Sequence, residues 1–124
     1  MIMCSYLLLS LVFCEVVRAQ NFFLSAGMFV GCFYDQQGTR DLPFSPTLSR
    51  VTVKTCTTAC TSHYYAYAGL QGGDNCFCGG SYGRYGPGQC DTPCTQDNNN
   101  TCGGSAANSV YSTGFTGDYS SLLS

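Results

Sequence analysis

Cysteine is the residue type whose number and spacing first call for a chemical explanation. The 124-residue chain holds ten of them. A thiolate is a nucleophile and a metal ligand, and two thiols oxidised together are a cross-link. Cys56-x-x-x-Cys60 and Cys76-x-Cys78 loosely resemble metal-ligand spacings. A Cys–His nucleophile would need a free thiolate beside His63, the chain's one histidine. Compartment decides among these chemistries, because disulfides persist outside the cell and thiols inside it.

The N-terminus points outside. Tyr6 to Phe13 is an apolar run, followed by small residues at Val17 and Ala19. That layout predicts a signal peptide over residues 1–19 cleaved after Ala19, although no Lys or Arg precedes the run. The run is too short for a membrane span. Cys4 and Cys14 leave with it. Eight cysteines remain: Cys32, Cys56, Cys60, Cys76, Cys78, Cys90, Cys94 and Cys102. An even number in a short exported chain reads as a disulfide framework, though eight admit on the order of a hundred pairings. Zinc ligation and thiol catalysis are therefore set aside, and no metal or cofactor is expected.

Carboxylate catalysis fares no better. Glu15 leaves with the signal, so the mature chain has no Glu. Asp35, Asp41, Asp74, Asp91, Asp97 and Asp118 all fall in predicted loops or turns, where Asp needs no functional reason. His63 is placed just past a helix end, as a surface or capping residue. The expectation is a non-enzyme. A net charge of −2 with 10% charged residues excludes nucleic acid as a partner and does not suit a disordered chain.

What remains is binding. Tyr82, Arg84 and Tyr85 share a Gly-rich loop, and Asp74 and Asn75 sit in the adjoining turn. Together they are expected to form a shallow polar–aromatic surface for a glycan, since flat rings offer contact area at little entropic cost. The absence of Trp weighs against a sugar site. Tyr34, Tyr67 and Tyr111 are expected to fill a core short of aliphatics. Asn99-Asn100-Thr101 is a glycosylation sequon, and an occupied Asn99 would mark its loop as solvent-facing and away from any interface.

The elements that must position these residues are short. Phe29–Tyr34 reads as a first strand and Asp35–Pro46 as a loop. Ser49–Ser62 reads as a weak, threonine-rich helix with Thr52 as a plausible N-cap. Ala66–Leu70 and Cys76–Cys78 read as strands around a turn at 71–75, and Asn108–Ser112 as a last strand. Cys56 and Cys60 stack on one helical face, and Cys76 and Cys78 share one strand face with Phe77 on the other. The helix is thus expected to be riveted across the sheet twice. Cys94 and Cys102 bracket seven polar residues and are expected to close that loop locally. No internal repeat is present.

In this order and spacing the residues resemble the WSC domain, an eight-cysteine extracellular module. The matching pieces are Gly31-Cys32-Phe33-Tyr34-Asp35, Thr52-Val53 with Cys56-x-x-x-Cys60, Tyr67-Ala68-Gly69-Leu70 and Cys76-Phe77-Cys78-Gly79. Cys90-Asp91-x-Pro93-Cys94, Cys102-Gly103-Gly104 and Val110-Tyr111 follow. Gln96 stands where the family usually has Gly, and Lys54 where it frequently has Glu. The resemblance implies an α+β, apple/PAN-like fold: an antiparallel sheet crossed by one helix, with bridges Cys32–Cys90, Cys56–Cys76, Cys60–Cys78 and Cys94–Cys102. It divides the chain into a signal at 1–19, a lead-in at 20–27, the domain at 28–113 and a polar tail at 114–124. It implies a secreted glycoprotein binding cell-wall or matrix glycan without catalysis, with no span after signal cleavage. The alternative is an extracellular protein-interaction module, self-associating or docking a receptor.

Overall fold

The computed structural model describes residues 27–116, together with Ser5–Tyr6 (β1) and Leu9–Ser10 (β2), which pair antiparallel. The rest of the signal and lead-in expectations, and the tail beyond residue 116, lie outside the described residues. The folded unit runs β3 (Phe29–Tyr34), α1 (Val53–Ser62), β4 (Tyr67–Gln71), β5 (Asn75–Gly79), β6 (Pro93–Cys94), β7 (Asp97–Thr101) and β8 (Ala107–Ser112). Four strands form one antiparallel sheet in the order β3-β8-β4-β5, and β6 and β7 form a separate hairpin. This is the expected α+β, disulfide-rich arrangement. No helix among the described residues is long and apolar enough to cross a membrane.

Helix α1 is short because its cap is local. Thr52 is extended, and its hydroxyl accepts the Thr55 amide hydrogen at 3.0 Å while Thr55 Oγ1 accepts the Thr52 amide hydrogen at 2.8 Å. This reciprocal capping box starts the helix at Val53, four residues later than the pattern suggested. The far end closes as a Schellman motif around His63, with Tyr65 N–H donating to Cys60 O and Tyr64 N–H to Thr61 O. Tyr64 takes the left-handed position usually given to glycine, at φ 68°. A side chain there costs about 1 kcal/mol. His63 is the C-cap, its ring 4.8 Å from Phe44.

Disulfides hold this weak helix down. Cys56 and Cys60 bond to Cys76 and Cys78 on β5, closing loops of 20 and 18 residues. All four sulfurs pack with Ala68 and Leu70 between helix and sheet. Cys32–Cys90 spans 58 residues and Cys94–Cys102 spans 8. These are the bridges the resemblance implies. Phe77 faces the other way, into a second cluster with Leu42 and Val110. Tyr67 packs against that cluster and Tyr111 against the first, both half-buried. Tyr34 does not fill the core: it is 44% exposed. It ends an edge strand, so little of the sheet lies beyond it to cover the ring.

The segment from Asp35 to Pro46 is more than a loop. Phe44 pairs with Cys78 along the free edge of β5, and Leu42 is fully buried. Asp35 and Asp41 are buried anchors, not loop decoration. Asp35 accepts hydrogen bonds from the Asp41 amide at 2.8 Å, Arg40 Nη1 at 2.6 Å and Gln71 Nε2 at 2.8 Å. Gln71 Nε2 also donates to Asn108 Oδ1 at 3.0 Å. Burial pushes the Asp35 carboxyl up, but the Asp41 amide, Arg40 and Gln71 outweigh it, and the net shift is downward.

That shift has a stability consequence. The unfolded carboxyl titrates near its ordinary 3.8 and the folded one lower, so the ionised form favours folding. The contribution is full above the ordinary value and disappears as pH falls through the folded value. The urea midpoint is expected to hold steady between neutrality and mild acid, then to decline below the ordinary carboxyl range. Asp35→Asn is expected to be less stable at neutral pH and to show a shallower acid decline. An acid decline as steep as that of the unaltered protein would place the linked proton elsewhere.

Candidate functional site

The Gly-rich segment at 79–88 is built against the sheet edge. Gly88 N–H donates to Cys32 O and Tyr34 N–H to Gly86 O, both at 3.0 Å, so the segment runs beside β3. A Cβ at Gly88 would lie 2.8 Å from Tyr34 N, which only glycine avoids. From the other side the Asp41 carboxylate accepts the Gly83 amide at 2.7 Å and the Arg84 amide at 3.0 Å. The loop is therefore fixed by charge-assisted bonds to a buried anchor.

This places Tyr82 on an aromatic stack. Its ring lies 4.7 Å from Tyr67, edge-on, and 5.0 Å from Phe33, and it stays 38% exposed. Tyr85 is differently used. Its hydroxyl donates to Thr39 O at 2.5 Å, and the Arg84 guanidinium sits 5.8 Å over its ring. Tyr85 is a half-buried strut, while Arg84 is exposed.

Asp74 and Asn75 do not join this surface. The β4–β5 register pairs Gln71 with Asn75 at the turn and Tyr67 with Gly79 at the other end. Four residue steps along a strand separate the two ends by about 14 Å. Asn75 Nδ2 donates to Gln71 O at 3.2 Å, bracing its own turn. That turn docks on the β6–β7 hairpin, through Gly73 N–H to Cys102 O and Thr95 N–H to Gly73 O. The expected five-residue set is thus split. Nearness in sequence across one hairpin is distance in space when the strands run straight.

Sequence reasoning missed a concave feature. A groove of about 820 Å³ opens between α1 and the β6–β7 hairpin. Lys54, Thr57, Thr58 and Thr61 form its helical wall, and Gln96, Asp97 and Asn100 the opposite one. Tyr111 contributes the aromatic surface, and burial pushes its phenol above the usual range, so the ring is neutral at physiological pH. The threonines were readable as one helix face from their three- and four-residue spacing, but nothing local indicated that a hairpin more than thirty residues on would stand opposite. Asn99 is exposed on β7 and does not line the groove, although Asp97 and Asn100 on the same strand do. The sequon strand therefore lies beside a concavity, with Asn99 itself exposed.

Cys56, Cys60 and Cys76 bring their sulfurs within 4.8 Å of one another, close enough for metal ligation, but each is already in a disulfide. They hold the helix to the sheet.

Comparison with known proteins gives one consistent picture. Residues 29–104 match the WSC domain. The chain is 31% identical over 104 residues to Kremen protein 1 of Homo sapiens, covering 77% of this chain and 22% of that protein. It is 31% identical over 96 residues to Xylosyltransferase oxt of Drosophila melanogaster, covering 73% of this chain and 11% of that one. A WSC domain-containing protein of Arthroderma benhamiae is 31% identical over 93 residues, covering 67% of this chain and 10% of the relative. The chain spans only about a fifth or less of the length of these relatives.

Proposed function

The chain belongs to the WSC domain family, and on that premise we propose that it is a secreted, non-catalytic module that holds a glycan against its Tyr82 face. The observation that carries this reading is the ring of Tyr82, solvent-facing yet fixed on Phe33 and Tyr67 by a loop tied to Asp41. An aromatic face already ordered before binding loses little entropy when a sugar ring stacks on it. Arg84 beside it offers guanidinium donors to ring hydroxyls. Catalysis is left out because every cysteine in the folded unit is disulfide-bonded, and the transferase name of one relative belongs to a chain of which the match covers 11%.

The test is retention of the oxidised protein on insoluble glucan, chitin and xylan. Tyr82→Ala is expected to cut retention about tenfold, the equivalent of ~1.4 kcal/mol of stacking. Failure of the unaltered protein to bind any polysaccharide would end the glycan reading. Exposed Met28 and Phe29 favour a second reading, a protein-interaction face. A change in sedimentation on joint Met28→Ala and Phe29→Ala substitution, with retention intact, would support that one instead.

A further inference from the structure

We infer that the groove between α1 and the β6–β7 hairpin is a second saccharide site, taking a polyhydroxylated ring. The inference rests on the glycan reading above and adds a site to it. The groove's size falls within the roughly 300–1,000 Å³ of small-molecule sites. Its walls decide what can occupy it.

The helical wall presents acceptors. Thr57 Oγ1 spends its proton on Val53 O at 2.9 Å, and Thr61 Oγ1 on Thr57 O at 2.9 Å. A hydroxyl whose proton is committed keeps lone pairs for an incoming donor. The hairpin wall adds the Asp97 carboxylate, held at 2.7 Å by Asn100 Nδ2 and with acceptor capacity to spare. Donors line the groove as well. Arg50 Nη2 gives one hydrogen to Gln96 O at 3.2 Å, leaving the rest of its fork, and Lys54 makes no ion pair among the described residues.

A ligand must therefore donate to the committed hydroxyls and Asp97 and accept from Arg50 and Lys54. Hydroxyl groups do both. A sulfate or phosphate offers acceptors only, leaves the committed hydroxyls of Thr57 and Thr61 without a donor and meets Asp97 with like charge. An apolar occupant would leave the walls unpaired. Tyr111 supplies the stacking surface, steadied edge-on by Phe29 at 5.3 Å. The Arg50–Gln96 bond already spans the groove and the hairpin is closed by Cys94–Cys102, so part of the ordering precedes binding.

The experiment is an amide NMR titration of the oxidised, exported protein with laminarihexaose, chitohexaose and xylohexaose. At least one is expected to shift Thr57, Thr61, Asp97 and Asn100. Thr57→Val and Asp97→Ala, each with an otherwise native spectrum, are expected to weaken that binding at least fivefold. Sodium sulfate at tenfold excess is expected not to compete. Shifts confined to the Tyr82 loop, variants that bind like the unaltered protein, or displacement by sulfate would each overturn the groove assignment while leaving the glycan reading standing. No shift anywhere with all three sugars would overturn both.

Discussion

Strong reductant is expected to unfold this domain outright, with loss of near-UV circular dichroism and of protease resistance. Among the described residues twelve hydrophobic side chains are buried, and six are the half-cystines Cys56, Cys60, Cys76, Cys78, Cys94 and Cys102. Sulfur thus supplies both the cross-links and much of the core, while Leu42, Leu70 and Val110 are the fully buried larger aliphatics. In the chain-entropy model each helix–strand bridge, closing 18 or 20 residues, stabilises by roughly 3 kcal/mol. A small domain has about 5–15 kcal/mol in all. Loss of both bridges therefore removes an amount comparable to the whole. Order is expected too. Cys32 and Cys90 are half-buried, whereas the other three bridges are buried, so mild reduction should open Cys32–Cys90 first by mass mapping. Full near-UV ellipticity in strong reductant would show that packing alone suffices.

How much of this was readable beforehand depends on the range of the contact. The Thr52 cap, the strand carrying Cys76, Phe77 and Cys78, and the opposed faces of that strand are local patterns, and they stand as expected. The helix was drawn four residues too long because threonine propensity does not mark a start; the Thr52–Thr55 exchange does. Asp35 and Asp41 looked like ordinary loop residues. Their partners Gln71, Gly83 and Arg84 lie 36, 42 and 43 residues on, and no local pattern announces such bonds. The split of Asp74 and Asn75 from Tyr82 has the same origin. The candidate face was legible only as far as residue type; that the Tyr85 hydroxyl is engaged by the Thr39 carbonyl 46 residues back has no local signal.

Gly103→Ala is expected to be the most damaging single methyl in the domain. Gly103 holds φ at 78°, a region where a Cβ costs about 1 kcal/mol or more before any neighbour is considered. Its neighbours are closer than a Cβ allows. The added carbon would lie 2.2 Å from Leu70 O, 2.5 Å from Ala107 O and 2.6 Å from Gln71 Cα. All three are backbone of β4 and β8, so relief requires moving the sheet and not a side-chain tip. The residue also joins units: its N–H donates to Ser109 Oγ at 2.9 Å, and its carbonyl accepts Thr92 N–H at 2.8 Å. Overpacking of this kind adds roughly 1–3 kcal/mol. The variant is expected to lose roughly 2–4 kcal/mol in urea unfolding. Gly38→Ala is the matched control, since its Cβ meets nothing within 4 Å, and its midpoint is expected to be unchanged. Equal midpoints for the two variants would mean that β4 and β8 can part at Gly103 without cost, and the hairpin would then be joined to the sheet by its hydrogen bonds to the β4–β5 turn and not by close backbone packing.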